Sequence, residues 1–309
     1  MKKIVILLLL FTLILVGCNT PASDSGSGIS VISTIFAPYD FTREIAGGHV
    51  DLTMLLPPAS ESHSYEPTPK DIIKIQNCDI FIYVGSESDS WVNDILDSMD
   101  TSDMKIITLT DCVDTVEEEI VEGMDHDDHE EEEHETDEHV WTSPKNAELI
   151  ARKISDTLCI VDPDNAADYE KNTADYLAKL RELDGKFQSV IDSAVRHTII
   201  FGDRFPFRYL ADAYGLDYFA AFPGCSTETE ASAAAVAFLI DKINAEGIPV
   251  VFHAELSNRK MAEIISESTG AQILLLHACH NVSKAEFENG VTYLDLMNQN
   301  VKNLQEALK

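Results

Sequence analysis

One helical pattern, running from residue 162 to about residue 194, does most to constrain what this chain can fold into. Ala166, Tyr169, Tyr176, Leu177, Leu180, Leu183, Phe187, Val190 and Ile191 recur at helical spacing, behind an Asp162-Pro163 start that suits a cap and first helical position. Thirty-two residues at 1.5 Å each span roughly 48 Å, long for a globular helix. Gly185 interrupts the pattern at a cost of about 1 kcal/mol. A helix of that length crosses a whole molecule and joins what lies on its two sides.

Both sides read as alternating strands and helices. Before it, strands are expected over 31–36, 50–56, 80–84 and 105–109, with helices over 40–46, 69–76, 91–98 and 144–158. After it, strands are expected over 198–201, 217–221, 250–252 and 273–276, with helices over 208–214, 231–245, 260–269 and 294–308. Thr227 with Glu230 fits a capping box for the second of these helices. The pattern predicts an α/β protein of two lobes, each a mostly parallel β-sheet flanked by helices, joined by one long rigid connecting helix. The N-terminal lobe spans 30–161, the connecting helix 162–194 and the C-terminal lobe 195–309.

The first residues read as an export signal. Lys2 and Lys3 precede an apolar run over 4–16, broken only by Thr12. That run is too short for a stable bilayer span, which takes about 20 residues, and matches a signal-peptide core. It ends in Leu15-Val16-Gly17-Cys18, which resembles a bacterial lipobox. The resemblance implies a signal peptide over 1–17, cleavage before Cys18, and lipidation of that cysteine. A polar Ser- and Gly-containing tether follows over 18–29. The body is then expected at the extracellular face of the cytoplasmic membrane, held by a lipid anchor alone.

Acids outnumber bases 54 to 22, for a formal net charge of −32. Such a chain is repelled by nucleic-acid backbones and anionic lipid headgroups, so cations are its natural partners. Fifteen of the acids fall in residues 114–138, which contain no Lys or Arg. His126, His129 and His134 lie among them, and His139 follows. The tract has too little apolar surface to fold alone. Imidazoles in a carboxylate field suit capture of zinc, copper or nickel. Beyond Cys18 five cysteines remain, an odd number with no C-x-x-C spacing, which argues against a thiolate zinc site. Cys225 and Cys279 each follow an expected strand and are candidates for a disulfide.

Two further stretches stand out. His63-Ser64-Tyr65-Glu66-Pro67-Thr68-Pro69 follows a strand, and His139-Val140-Trp141-Thr142-Ser143-Pro144 precedes a helix. Together these runs resemble the two N-lobe motifs of the zinc/manganese substrate-binding proteins of ABC importers (cluster A-I type), in particular their zinc-binding, ZnuA/AdcA-like lipoproteins. The lipobox, the acidic His-rich insert, the long helix and Tyr214-Gly215-Leu216 fit the same pattern. The resemblance covers essentially the whole chain after the tether. It implies four metal ligands, two from each lobe, with His63 and His139 as the first two.

The third ligand of that family is His or Glu, just after the first strand of the second lobe. Here the place reads Phe201-Gly202-Asp203-Arg204-Phe205, where Asp203 is either the ligand, a capping residue or an ion-pair partner of Arg204 or Arg208. The fourth is an Asp after a late strand; here His277 takes the position, with His280 as the alternative and Glu255 as a ligand or supporting partner. The His-rich tract is expected to collect Zn²⁺ and the inter-lobe cleft to hold it, in a protein expected to be a monomer; docking of the loaded protein on an ABC permease is what the resemblance implies. Mn²⁺ is the alternative cargo, and a zinc-binding adhesin or store the alternative role. A metallohydrolase finds no support in an H-E-x-x-H motif.

Overall fold

The computed structural model describes residues 28–61, 65–86, 89–124, 136–224 and 231–309. The N-terminal lobe is built from β1 (Ser30–Ser33), α1 (Phe36–Ala46), β2 (Asp51–Met54), α2 (Pro69–Gln76), β3 (Ile80–Tyr83), α3 (Ser90–Asp97), β4 (Lys105–Thr108) and α4 (Pro144–Val161). After α5 (Ala166–Asp192) the C-terminal lobe follows: β5 (Thr198–Phe205), α6 (Arg208–Tyr214), β6 (Asp217–Pro223), α7 (Ala233–Glu246), β7 (Val250–His253), α8 (Lys260–Thr269), β8 (Gln272–Leu275), α9 (Lys284–Glu288) and α10 (Tyr293–Ala307).

The two sheets share one topology, β2-β1-β3-β4 and β6-β5-β7-β8, with every pairing parallel. In each, the strand order reverses beside the first strand of the lobe. Ligand crevices of open parallel sheets form outside the carboxyl ends of the strands at such switch points.

One face of each sheet has its own apolar layer. Ile75 of α2 and Val92 of α3 pack with Phe81 and Tyr83 in the N-terminal lobe; Leu239 of α7 and Ile265 of α8 pack with Ile200 and Val251 in the C-terminal lobe. The other two faces share a single core. Phe41, Trp141 and Ile150 belong to the same packed cluster as Phe201, Phe252, Leu276 and Tyr293. Helix α5 runs through this shared core, burying Tyr169, Tyr176, Leu177, Leu180, Leu183, Phe187, Val190 and Ile191. Full burial of one such side chain contributes about 1.5–3 kcal/mol, so this stripe binds the lobes strongly. Among the described residues no helix is long and apolar enough to cross a membrane.

The connecting element differs from its sequence reading at its start. Helix α4 runs to Val161, Asp162 closes it, a 3-10 turn covers Pro163–Asn165, and α5 begins at Ala166. The Asp162 carboxylate accepts hydrogen bonds from the Asn165 amide and the Tyr169 hydroxyl, which fixes the corner. At 27 residues α5 is about 40 Å long. For α7 the cap is Ser232, whose hydroxyl accepts from the Ala235 amide; Thr227 and Glu230 lie outside the described residues. The short helix α9, with its Ser283–Glu286 capping box, has no counterpart in the sequence reading.

Gly185 lies on the exposed face of α5, and a Cβ built there meets nothing within 4 Å. The glycine therefore carries only its entropic cost. Gly185→Ala is expected to stabilise the protein by about 0.5–1 kcal/mol, read as a higher urea midpoint at unchanged slope.

Candidate metal centre

The loop after β8 carries the C-lobe part of the site, and its shape follows from a few buried hydrogen bonds. Glu255, just past the end of β7, accepts from the backbone N–H groups of Ala278 (2.7 Å) and His280 (3.1 Å). The His277 ring Nδ1 accepts from the Cys279 amide at 3.0 Å, and Cys279 takes a left-handed conformation with φ of 61°. That reversal turns His277 inward, where Asn300 receives its N–H and donates to its carbonyl. It also presents His280 to the cleft. On the far side, Phe36 N–H donates to the His280 carbonyl at 2.9 Å. Helix α1 starts at Phe36 with no side-chain cap, so this carbonyl satisfies one of its otherwise orphan donors. The Asn281 amide donates to the carbonyls of Pro57 and Ser60. His280 therefore sits on a C-lobe loop stitched to the N-terminal lobe.

The N-lobe part lies on the turn before α4. The His139 ring is fully buried. Asp137 Oδ1 accepts from the His139 backbone N–H at 2.8 Å and lies 3.0 Å from ring Nδ1. A carboxylate on one ring nitrogen fixes the tautomer and leaves Nε2 for a metal. Burial disfavours the charged ring, but Asp137, Glu138 and Glu118 outweigh it and hold the His139 pKa above the ordinary histidine value. Trp141 donates its indole N–H to the Ala278 carbonyl, and Tyr293 donates its hydroxyl to the Trp141 carbonyl. The His280 ring stands edge-on to both His139 and Trp141, with centroids 4.8 and 4.7 Å away. Gly224 is required beside it, because an added Cβ would come within 3.1 Å of the His139 ring and 2.8 Å of the Phe205 carbonyl.

Glu138, His139 and His280 bring one ligand-type atom each to within 4.8 Å of one another. Glu138 Oε1 lies 3.6 Å from His280 Nε2 and 3.9 Å from His139 Nε2, while Ser86 donates to its other oxygen. Donors held about 2.1 Å from one tetrahedral ion lie about 3.4 Å apart, so the three groups need only a small contraction to share a cation. His139 and His280 also line a cleft of about 40 Å³ between the lobes, whose other walls include Ser60, Glu61, Arg204, Glu255 and Asn281.

His139, His280 and Glu255 thus meet at the cleft. Asp203 and His277, expected as ligands, lie outside the cluster. The Asp203 carboxylate accepts from the backbone N–H groups of Arg204 and Ala254, while the next side chain along β5, Arg204, lines the cleft. His277 is committed to the loop hydrogen bonds given above. Of the candidate pair Cys225 and Cys279, Cys279 carries a free, fully buried thiol, and Cys225 lies outside the described residues. So do Cys18, His63, His126, His129 and His134.

Glu138 was not singled out from sequence. It and Asp137 are 1% exposed, although the sequence places both in a solvated acidic run. The base of that run belongs to the folded body. Glu117 and Thr136 form an antiparallel bridge, and the Tyr209 hydroxyl accepts from Val116 N–H and donates to the Asp137 carbonyl.

Comparison with known proteins accords with this arrangement. The profile of the family described as ZnuA, "Zinc-uptake complex component A periplasmic", matches residues 31–307. The chain belongs to the ZnuA family. It is 33% identical over 288 residues to the high-affinity zinc uptake system protein ZnuA of Bacillus subtilis, covering 93% of this chain and 90% of that one. It is 32% identical to the zinc-binding lipoprotein AdcA of Streptococcus pneumoniae over 99% of this chain but only 61% of AdcA, which is the longer protein. Among solved structures, the Zn(II)-bound ZnuA-like domain of that AdcA superposes with a TM-score of 0.74 at 28% identity, covering 91% of this chain and 99% of the domain. The two-lobed fold joined by a long helix is that of these ZnuA-like proteins.

Proposed function

We propose that this chain is the zinc-capturing component of a metal importer, binding Zn²⁺ in the cleft through Glu138, His139, His280 and His63. The observation that carries this reading is the convergence of Glu138, His139 and His280, from segments about 140 residues apart, with His139 and His280 lining one small cavity between lobes. The zinc-binding relatives and the Zn(II)-bound ZnuA-like domain support it. His63 enters on its motif alone. The acidic tract with His126, His129 and His134 gathers zinc beside the cleft, since its base is pinned next to Asp137 and Glu138. Cys18 carries the lipid anchor, and the loaded protein passes its ion to an ABC permease.

Two imidazoles and a carboxylate also suit Mn²⁺, which gives the second reading. For a shared N/O site the Irving–Williams order places Zn²⁺ above Mn²⁺. Competitive titration of metal-stripped mature protein decides between them. Zn²⁺ is expected to fill one tight site and to displace Mn²⁺ at equal concentration. A variant lacking residues 125–135 is expected to keep that site while losing weaker zinc equivalents. Retention of Mn²⁺ against equal Zn²⁺ would overturn the choice of metal, and loss of all tight binding in the deletion would overturn the division of labour.

A further inference from the structure

A guanidinium is an unusual wall for a cavity that receives a cation. Arg204, from the end of β5, lines the cleft together with His139 and His280. Its side chain is 22% exposed, and its Nη2 lies 3.3 Å from Oε2 of Glu61. Glu61 belongs to the loop after β2, in the opposite lobe, and lines the same cleft. The pair therefore closes across the junction of the lobes, beside the cluster of Glu138, His139 and His280.

A fixed positive charge near a divalent ion opposes its binding, and a carboxylate next to that charge cancels much of the opposition. The main chain shows that Arg204 is held there by construction. Its own N–H is fixed by Asp203 Oδ1, and alternation along β5 sends the Asp203 and Arg204 side chains to opposite faces.

We propose that Arg204 and Glu61 form an electrostatic regulator of the cleft, in which Arg204 weakens retention of the divalent cation and Glu61 restores it. This rests on the cleft being the zinc site. The pair sets affinity and residence time without contributing a ligand: Arg204 keeps the ion releasable, and Glu61 keeps the site from becoming too positive to load. Arginine serves this purpose because its charge persists at every relevant pH and its planar head can face a carboxylate.

The test is a charge cycle on the full mature protein, with Zn²⁺ as the probe. Affinity is read by competition with a chromophoric chelator, and dissociation by stopped flow. Arg204→Gln removes the positive charge from the cleft wall and is expected to tighten zinc about five- to tenfold, mostly through slower release. Glu61→Gln removes a negative charge next to Arg204 and is expected to weaken zinc binding by a similar factor. The double variant should return close to the parent, and Arg204→Lys, which keeps the charge, should stay within about twofold of it. The opposed shifts should shrink when salt is raised from 0.05 to 0.5 M, because both groups are partly exposed. A purely mechanical latch between lobes would move both single variants in one direction, and that result overturns the proposal, as would no shift in either. His139→Ala is the companion arm. If it binds zinc like the parent, the cleft reading itself fails. If it loses binding while the charge variants move together or not at all, only this inference fails. Circular dichroism of each variant confirms that it is folded before its affinity is read.

Discussion

His139→Ala is expected to cost this protein at least a hundredfold in zinc affinity, the largest functional effect of any single change in the cleft. The ring is fully buried, is oriented by Asp137, and shares its space with Glu138 and His280. Removing a partner that merely orients a ligand typically costs ten- to hundredfold, so loss of the ligand itself sets a higher floor. Asp137→Asn should fall in that lower range. The pH dependence has a definite sign. The folded-state pKa of His139 is raised, so the ion pair with Asp137 stabilises the metal-free protein fully below the unfolded value near 6.5. That stability fades as pH rises through the folded value. Zinc needs the ring deprotonated, so the metal competes with a proton that the site itself favours. The gain in melting temperature on adding zinc should therefore grow with pH from 5.5 to 8. Calorimetry in buffers of different ionisation enthalpy should show proton release near neutrality, and His139→Ala should lose most of it. A zinc-induced gain in melting temperature that is flat over this range would contradict the assignment.

Trp141→Ala is expected to be the most destabilising single change near the site, by about 4 kcal/mol, in the range for deleting a large buried aromatic. Trp141 is fully buried and packs in the core shared by both lobes. Its indole N–H also supplies the hydrogen bond to Ala278, two residues before His280. Against a total stability of 5–15 kcal/mol, such a loss leaves a marginal fold. Trp141→Phe separates the two roles. It keeps most of the apolar area and drops the donor, leaving a buried carbonyl short of a partner at about 1–3 kcal/mol. Urea unfolding of both variants gives the ranking, and the Phe variant should also bind zinc more weakly, because the 278–280 loop loses an anchor. Equal stability of the Phe variant and the parent would remove the hydrogen bond from this account.

The parts of the molecule that were legible in the sequence are those with a strong period. The stripe from Tyr169 to Ile191 identified the long helix, and the apolar run Ile80–Tyr83 identified a strand buried throughout. What escaped depends on contacts between distant segments. Glu138 carries no local mark that separates it from the neighbouring acids; only the fold buries it against His280. His277 and His280 are chemically identical candidates, and their different placements follow from the left-handed Cys279 and the carboxylate of Glu255, from another strand end. Asp203 and Arg204 are adjacent on one strand, so their side chains leave it on opposite faces, and only the fold shows that Arg204 lines the cleft. Helix α9 is a five-residue element with no room for a period to show.

The bridge between Glu117 and Thr136 clamps the two stems of the acidic tract together at the surface of the body. Closing a longer excursion on a fixed base is cheap: doubling the chain between the stems adds only about 0.6 kcal/mol of entropy. The tract is thus a replaceable cartridge. Its length and composition can therefore change while the body beneath keeps its shape, which leaves this stretch of sequence free to vary independently of the cleft.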